Sequence, residues 1–204
     1  MKIIKPYTQL MDEIDGEVVL RKIEIAGRKC YKSEDKITYD SAQQFVKMLI
    51  ERGHEAMVEH FSFSVLFVCD RGVSHELVRH RVASFAQEST RYCNYGKAGD
   101  VVFIEPCFWG EDANSYSAWC VACSYAEIIY LQLIGSGRSP QEARSVLPNS
   151  LKTEIVVTAN LREWRHIFKL RTAKTAHPQM RELMCPLLDQ MKLVIPAVFD
   201  DITY

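Results

Sequence analysis

Apolar and polar positions alternate along this chain with periods that change from stretch to stretch. Ile3 to Ile14 reads as an initial strand, and Val18 to Cys30 carries helical periodicity. Thr38-Tyr39-Asp40 is placed to cap a helix whose Phe45, Met48 and Leu49 share a face and which stops at Gly53. Phe61 to Val68 begins by alternating and then turns continuously apolar, as a strand with one face fully buried does. Helical spacing then returns up to about Arg79, with Val73, Leu77 and Val78 on one apolar side. Ser84, Gln87, Glu88, Ser89 and Thr90 break that period and read as a loop. Strand, helix and polar loop in succession present ligand-binding groups on a rigid base.

Residues 112–135 form a long helix in which Tyr116, Cys120, Cys123, Tyr130 and Ile134 share a side, so both thiols of its CxxC pack in the core. Gly135-Ser136-Gly137 ends it, and Ser139-Pro140-x-Glu142 starts the next helix, which carries Arg144. Glu154 to Ala159 is a second buried strand. Asn160 caps the helix that follows, with Glu163 placed as its capping-box partner. Arg162, His166 and Lys169 stand at i, i+4 and i+7 as a basic stripe, opposite Trp164, Ile167 and Phe168. Arg171, seven residues after Trp164, falls on the apolar side. There it needs a hydrogen-bonding or anionic partner, either a carboxylate of the protein or a ligand.

The 204 residues, 48% of them hydrophobic, fit one domain spanning 1–204 with a sizeable core. A net charge of −1 excludes general electrostatic capture of nucleic acid or an anionic membrane, so any anion site is a local cluster. No apolar run approaches the roughly 20 residues needed to span a bilayer. The first residues, MKIIKPYTQLMDEIDGE, lack a signal-peptide core. A cytoplasmic location follows as an expectation, with the seven cysteines reduced; their odd number also argues against a complete disulfide framework.

The candidate chemistry concentrates between Arg71 and Tyr95. Arg79, His80 and Arg81 stand side by side and are followed by Ser89 and Arg91. Arginine suits phosphate because its planar fork keeps its charge and donates paired hydrogen bonds. Small hydroxyl residues leave backbone N–H groups accessible. On a continuing helix, Arg79 and Arg81 would point about 200° apart and serve different groups. The segment reads as an anion cradle or as a solvated basic helix end.

Arg79-His80-Arg81, seven residues, then Ser89 resembles the RHR-x7-S signature of the flavin-dependent thymidylate synthases. The likeness extends to Ala83-Ser84, to Arg91-Tyr92, and from the Ala26-Gly27-Arg28 segment to His177-Pro178-Gln179. The resemblance implies an α/β (α+β) fold with a mainly antiparallel central sheet flanked by helices. It also implies methylation of dUMP to dTMP, with 5,10-methylenetetrahydrofolate, FAD and NADPH, in a homotetramer whose sites lie at subunit interfaces. Arg171 and Ser89 would be the catalytic residues. The nucleotide set it implies is Glu76, Arg79, Gln87, Ser89, Thr90, Arg91, Arg144 and Arg171. The flavin set is His54, Ala56, Glu59, Arg79, His80, Arg81, Gln87, Asn160, Arg162 and His166. No metal, nucleic acid or membrane partner is implied. The chain departs from the family pattern at Glu76-Leu77, at Ala86-Gln87, at His166 in place of an asparagine, and at Ala56 in place of a hydroxyl residue.

Rival readings fit less well. His54 to His60 does not have the His-Glu-x-x-His spacing of zinc proteases, and ordinary burial accounts for the His60 end. The CxxC has no second cysteine pair at zinc spacing. Pro106-Cys107 is followed by Phe108, not by the histidine of the cysteine-dependent thymidylate synthases. A non-catalytic nucleotide- or RNA-binding module is the remaining alternative. Balanced charge and the lack of aromatics interleaved among the arginines count against it.

Overall fold

Pro6 divides the first apolar stretch, because a proline supplies no N–H to a sheet ladder. Two strands therefore stand where the sequence suggested one: β1 (Lys2–Ile4) and β2 (Tyr7–Leu10). The computed structural model describes residues 1–99 and 101–204, the Ala98 side chain excepted. It continues with α1 (Gly16–Lys29), α2 (Ser41–Glu51), β3 (Ser62–Asp70), α3 (Arg71–Leu77) and β4 (Ala83–Gln87). Then follow α4 (Tyr95–Ala98), β5 (Val102–Ile104), α5 (Ala113–Gly135), α6 (Pro140–Ala143), β6 (Lys152–Asn160), α7 (Leu161–Arg171), α8 (Pro178–Val194) and α9 (Pro196–Phe199).

The fold is mixed α/β with an antiparallel sheet in the order β2-β3-β6-β4, and a small parallel pair joins β1 to β5. Two compact units share the chain, which passes between them within β2, β3, β4 and β6 and between Arg79 and His80. The first comprises Met1–Thr8, Leu66–Arg79 and Phe85–Val156; the second comprises Gln9–Val65, His80–Ser84 and Val157–Tyr204.

The first unit packs around Phe103, Cys123, Tyr130 and Leu151. Cys123 is buried there but Cys120 is only half-buried, so one thiol of the CxxC faces the core and not both. All seven cysteines are free thiols. Among the described residues α5 is the one helix long and apolar enough, by length and composition, to cross a membrane. The sequence expectation that no apolar stretch approaches that length is thereby corrected; Ser115, Ser117, Ser124 and Glu127 break up the apolar stretch of α5 and hid it. Its inward side carries Glu127, whose carboxylate accepts from the Val101 N–H at 3.2 Å and pairs with the Met1 ammonium at 2.8 Å.

In the second unit an aromatic ladder forms the centre. Phe63 stacks on Trp164 at 4.8 Å, and Trp164 continues to Phe168 and Phe199. The Trp164 indole N–H, which a buried ring must satisfy, donates to the Phe63 carbonyl at 3.1 Å. Asp15 caps α1, accepting from the N–H groups of Glu17 and Val18. Asp40, expected to cap α2, makes no cap bond. Ser41 holds that start instead, accepting from the Thr38 N–H and donating to buried Glu24. Gly53, at φ +70, ends α2 as its sequence position suggests.

Two local expectations near the arginine motif need correction. Residues 84–87 lie in β4, not in a loop: Ser84 and Ala86 point outward while Ala83, Phe85 and Gln87 are half-buried. The short alternation was masked by its polar members. Helix α3 stops at Leu77, so Arg79 and Arg81 do not extend a helix, and Val78 is exposed.

Candidate active site

The first unit assembles one group of expected site residues. Ser89 opens a turn: its carbonyl accepts from the N–H groups of Tyr92 and Cys93, and its hydroxyl accepts from the Arg91 N–H at 3.3 Å. Arg91 donates to Gln141 at 3.2 Å, and Arg144 donates to the hydroxyl of buried Thr90 at 3.1 Å. Ser89, Thr90, Arg91 and Arg144 are thereby gathered in one place, with both arginines exposed. Arg144 sits in the single turn of 3-10 helix (Arg144–Val146) that follows α6, not on the α-helix itself. The capping box of Ser139 and Glu142 that starts α6 is present.

Gln87 is held from behind. Its amide nitrogen donates to Ser74 at 2.8 Å and to Thr153 at 3.2 Å. Arg71, which the sequence reading passed over, braces the same spot through Thr153 and the Glu88 carbonyl. The Glu88 carboxylate is taken by the Tyr95 hydroxyl and Lys152, so it does not oppose an anion freely. Burial foremost, then Glu88, pushes the Tyr95 hydroxyl up. Glu76 is half-buried at the end of α3, and Arg79 is exposed just beyond it.

The second unit positions the rest around α7. Asn160 caps this helix by accepting from the Glu163 N–H at 2.9 Å, as the sequence predicts. The Glu163 side chain does not complete a capping box. Its carboxylate lies 3.5 Å from Nδ1 of His80 instead. On the other side of that ring, Arg171 Nε donates to His80 Nε2 at 2.9 Å. His166 meets His80 edge-on, with ring centroids 5.7 Å apart. His80 is buried, and desolvation foremost, followed by the charge of Arg171 and by His166, lowers its pKa from 6.5 to about 4. It is therefore a neutral imidazole near pH 7. Its neighbour Glu163 is moved the other way, its carboxyl raised by burial. His80, Glu163 and His166 also bring three potential metal-ligand atoms within 4.8 Å of one another.

A cleft of about 480 Å³ opens along the basic stripe, lined by Glu59, Asn160, Arg162, His166 and Lys169, with Val82 as an apolar contact. Its cations are partnered: Arg162 meets Glu59 at 2.6 Å, and Lys169 reaches Glu55 at 4.0 Å. Such exposed pairs are weak and yield to a better anion. Arg81 lines a shallower neighbouring recess that shares Val82 and Asn160.

His54 and Ala56 do not line this cleft. They belong to a second one of about 620 Å³, with Arg28, Lys36 and Arg52 around a floor that includes Phe45 and Met48. Of the residues implied for flavin, Glu59, Asn160, Arg162 and His166 line the first cleft, His54 and Ala56 the second and Arg81 the shallower recess, while Arg79 and Gln87 belong to the other unit. His60 is exposed, contrary to the burial expected of it.

The deeply buried arginine of α7 is Arg165, not Arg171, which is half-buried. Arg165 forks onto Asp201 at 2.6 and 2.7 Å, bonds Glu55 at 3.1 Å and donates to the Val198 carbonyl. Arg171 has a hydrogen-bonding partner, as its position demanded, in the His80 imidazole.

Exposed arginines thus gather at a hydroxyl turn in one unit, and a basic cleft lies beside an imidazole–guanidinium pair in the other. Residues 10–197 match the Thy1 family, described as thymidylate synthase complementing protein, and the chain belongs to this family. It is 35% identical over 198 residues to the flavin-dependent thymidylate synthase of Corynebacterium aurimucosum, covering 88% of this chain and 78% of that protein. The corresponding protein of a Mycobacterium species (strain JLS) is 34% identical over 211 residues, covering 93% and 82%. In fold the chain is similar to the UMP/dUMP methylase PolB of Streptomyces cacaoi, solved with 5-Br dUMP. The TM-score is 0.81 at 21% identity, over 98% of this chain and 96% of that one.

Proposed function

We propose that this protein is a flavin-dependent thymidylate synthase that methylates dUMP to dTMP, with 5,10-methylenetetrahydrofolate as carbon donor and NADPH as reductant. The observation that carries the reading is the bond between His80 of the RHR-x7-S segment and Arg171 at the end of α7. It joins the two sequence signatures of the family in one piece of chemistry, and family membership over residues 10–197 stands behind it. The relatives' names make a non-catalytic nucleotide- or RNA-binding role the weaker alternative.

In this reading Ser89, Thr90, Arg91 and Arg144 hold the nucleotide, with Gln87 contributing its amide oxygen and Glu76 and Arg79 flanking. Arg171 polarises the uracil and stabilises the negative charge that develops as its N3 proton leaves, which makes C5 nucleophilic. The cleft with Glu59, Asn160, Arg162 and His166 fits the polar edge and diphosphate of FAD, because amide, imidazole and guanidinium groups converge there. His54, Ala56, Arg79, His80, Arg81 and Gln87 complete the proposed flavin set. FAD supplies the hydride and carries the one-carbon unit when bound. A single cytoplasmic domain assembled as a homotetramer, with sites at subunit interfaces, completes the proposal. Support for association comes from Val121, Tyr125, Ile128 and Ile129, apolar residues of α5 that lie exposed.

The test is an absorbance spectrum of protein purified with FAD supplied. A bound flavin band that bleaches on anaerobic addition of NADPH is expected. Protein that binds no flavin would refute the reading.

A further inference from the structure

Glu163 has no part in the roles above, yet its geometry ties it to them. The side chains of long residues in a helix lean toward the N-terminus. Arg171, in the last turn of α7, thus reaches back along the helix, and its Nε donates to His80 Nε2 at 2.9 Å. An arginine Nε–H is always a donor, so His80 must keep Nε2 unprotonated there. The neutral ring then carries its proton on Nδ1, the tautomer that a free histidine disfavours. Nδ1 faces the Glu163 carboxylate at 3.5 Å, long for a hydrogen bond. A group that accepts from one ring nitrogen fixes what the other can do.

We propose that Glu163 is a positioning residue: by holding the His80 proton on Nδ1, it fixes the Arg171 guanidinium in its working orientation. The catalytic consequence rests on the thymidylate synthase reading; the tautomer assignment does not. Lowering of the His80 pKa to about 4 agrees with a neutral ring. The same wiring argues against a metal on His80, Glu163 and His166, since an ion would have to displace either the Arg171 bond or the Nδ1 proton.

Replacing Glu163 by leucine removes the acceptor at similar bulk, and Glu163→Gln restores one, because its amide oxygen can accept from Nδ1. The measurement is nitrogen-15 NMR of histidine-labelled protein near pH 7.5 without substrates, with the His80 signals assigned by their absence in His80→Gln. The wild-type and Glu163→Gln proteins should show Nδ1–H, and Glu163→Leu should shift toward Nε2–H. In parallel, dTMP formation by Glu163→Leu should fall about ten- to a hundredfold with flavin still bound, as for a small misplacement of a reacting group. Glu163→Gln should stay within about threefold of wild type on the same scale. A Glu163→Leu protein with the wild-type tautomer overturns the proposal, and so does undiminished turnover. Wild-type protein that makes no dTMP would instead sink the functional reading, and the tautomer result alone would then decide the role of Glu163.

Discussion

Arg171→Ala is expected to lose dTMP formation by about a hundred- to a thousandfold, the usual cost of removing a preorganised donor from developing negative charge. The protein should remain folded. Arg171 is only half-buried at the C-terminal end of α7, and it donates to the neutral imidazole of His80. Its loss leaves Nε2 of buried His80 without that donor, a penalty of about 1–3 kcal/mol, which a domain of ordinary stability survives. Flavin binding should persist, because the cleft with Asn160, Arg162 and His166 is lined without Arg171. The check is product analysis after a single turnover, with the flavin spectrum recorded on the same sample. Normal dTMP formation by this variant would remove Arg171 from the chemistry.

Arg165→Met should act the other way, on stability first. Arg165 is buried and ties the α7 backbone region to the C-terminal segment through Asp201 and the Val198 carbonyl, and to Glu55. Removing one side of a buried ion pair costs about 3–5 kcal/mol when its partner stays buried. Asp201 and Glu55 are partly exposed and can rehydrate, so about 2–4 kcal/mol is expected here. At 204 residues that lowers the melting temperature by about 5–15 °C.

The pH dependence gives a signature. Arg165 foremost, through its hydrogen bonds, holds the Asp201 carboxyl below its ordinary value. A depressed carboxylate stabilises the fold above its unfolded pKa, and that contribution is lost as pH falls through the lower folded value. Urea unfolding of wild type should therefore weaken in that acid window, and Arg165→Met should show less of this loss. Equal midpoints for the two proteins at pH 7 would show that the Arg165 network does not stabilise the fold.

These two arginines also show how far the sequence could be read. Arg171 lies almost in line with Trp164 and Phe168 on a helical projection, so periodicity made it the inward arginine. Arg165 projects about 100° from Trp164, at the border of the apolar face. It is buried because Val198 and Asp201, more than thirty residues away, cover that flank. Local spacing contains no record of such a partner.

The Arg162, His166 and Lys169 stripe was legible because a solvent-facing cleft needs only helical periodicity to define it. The RHR-x7-S motif likewise marked out Ser89, Thr90 and Arg91, which lie together with Arg144, but β4 within its spacer was hidden. Ser84 and Ala86 are outward positions, and only Phe85 and Gln87 between and beyond them mark the strand. Glu163 was misassigned for a related reason. Its spacing from Asn160 suits a capping box, and the His80 ring that engages its carboxylate arrives from a distant part of the chain.

The most direct test of the central claim supplies the purified protein, anaerobically, with FAD, NADPH, dUMP and methylenetetrahydrofolate labelled in its transferable carbon. The account predicts dTMP carrying the label in its methyl group, formed only when all four are present. A protein that binds dUMP under these conditions but returns it unmethylated would contradict the account and leave a nucleotide-binding module in its place.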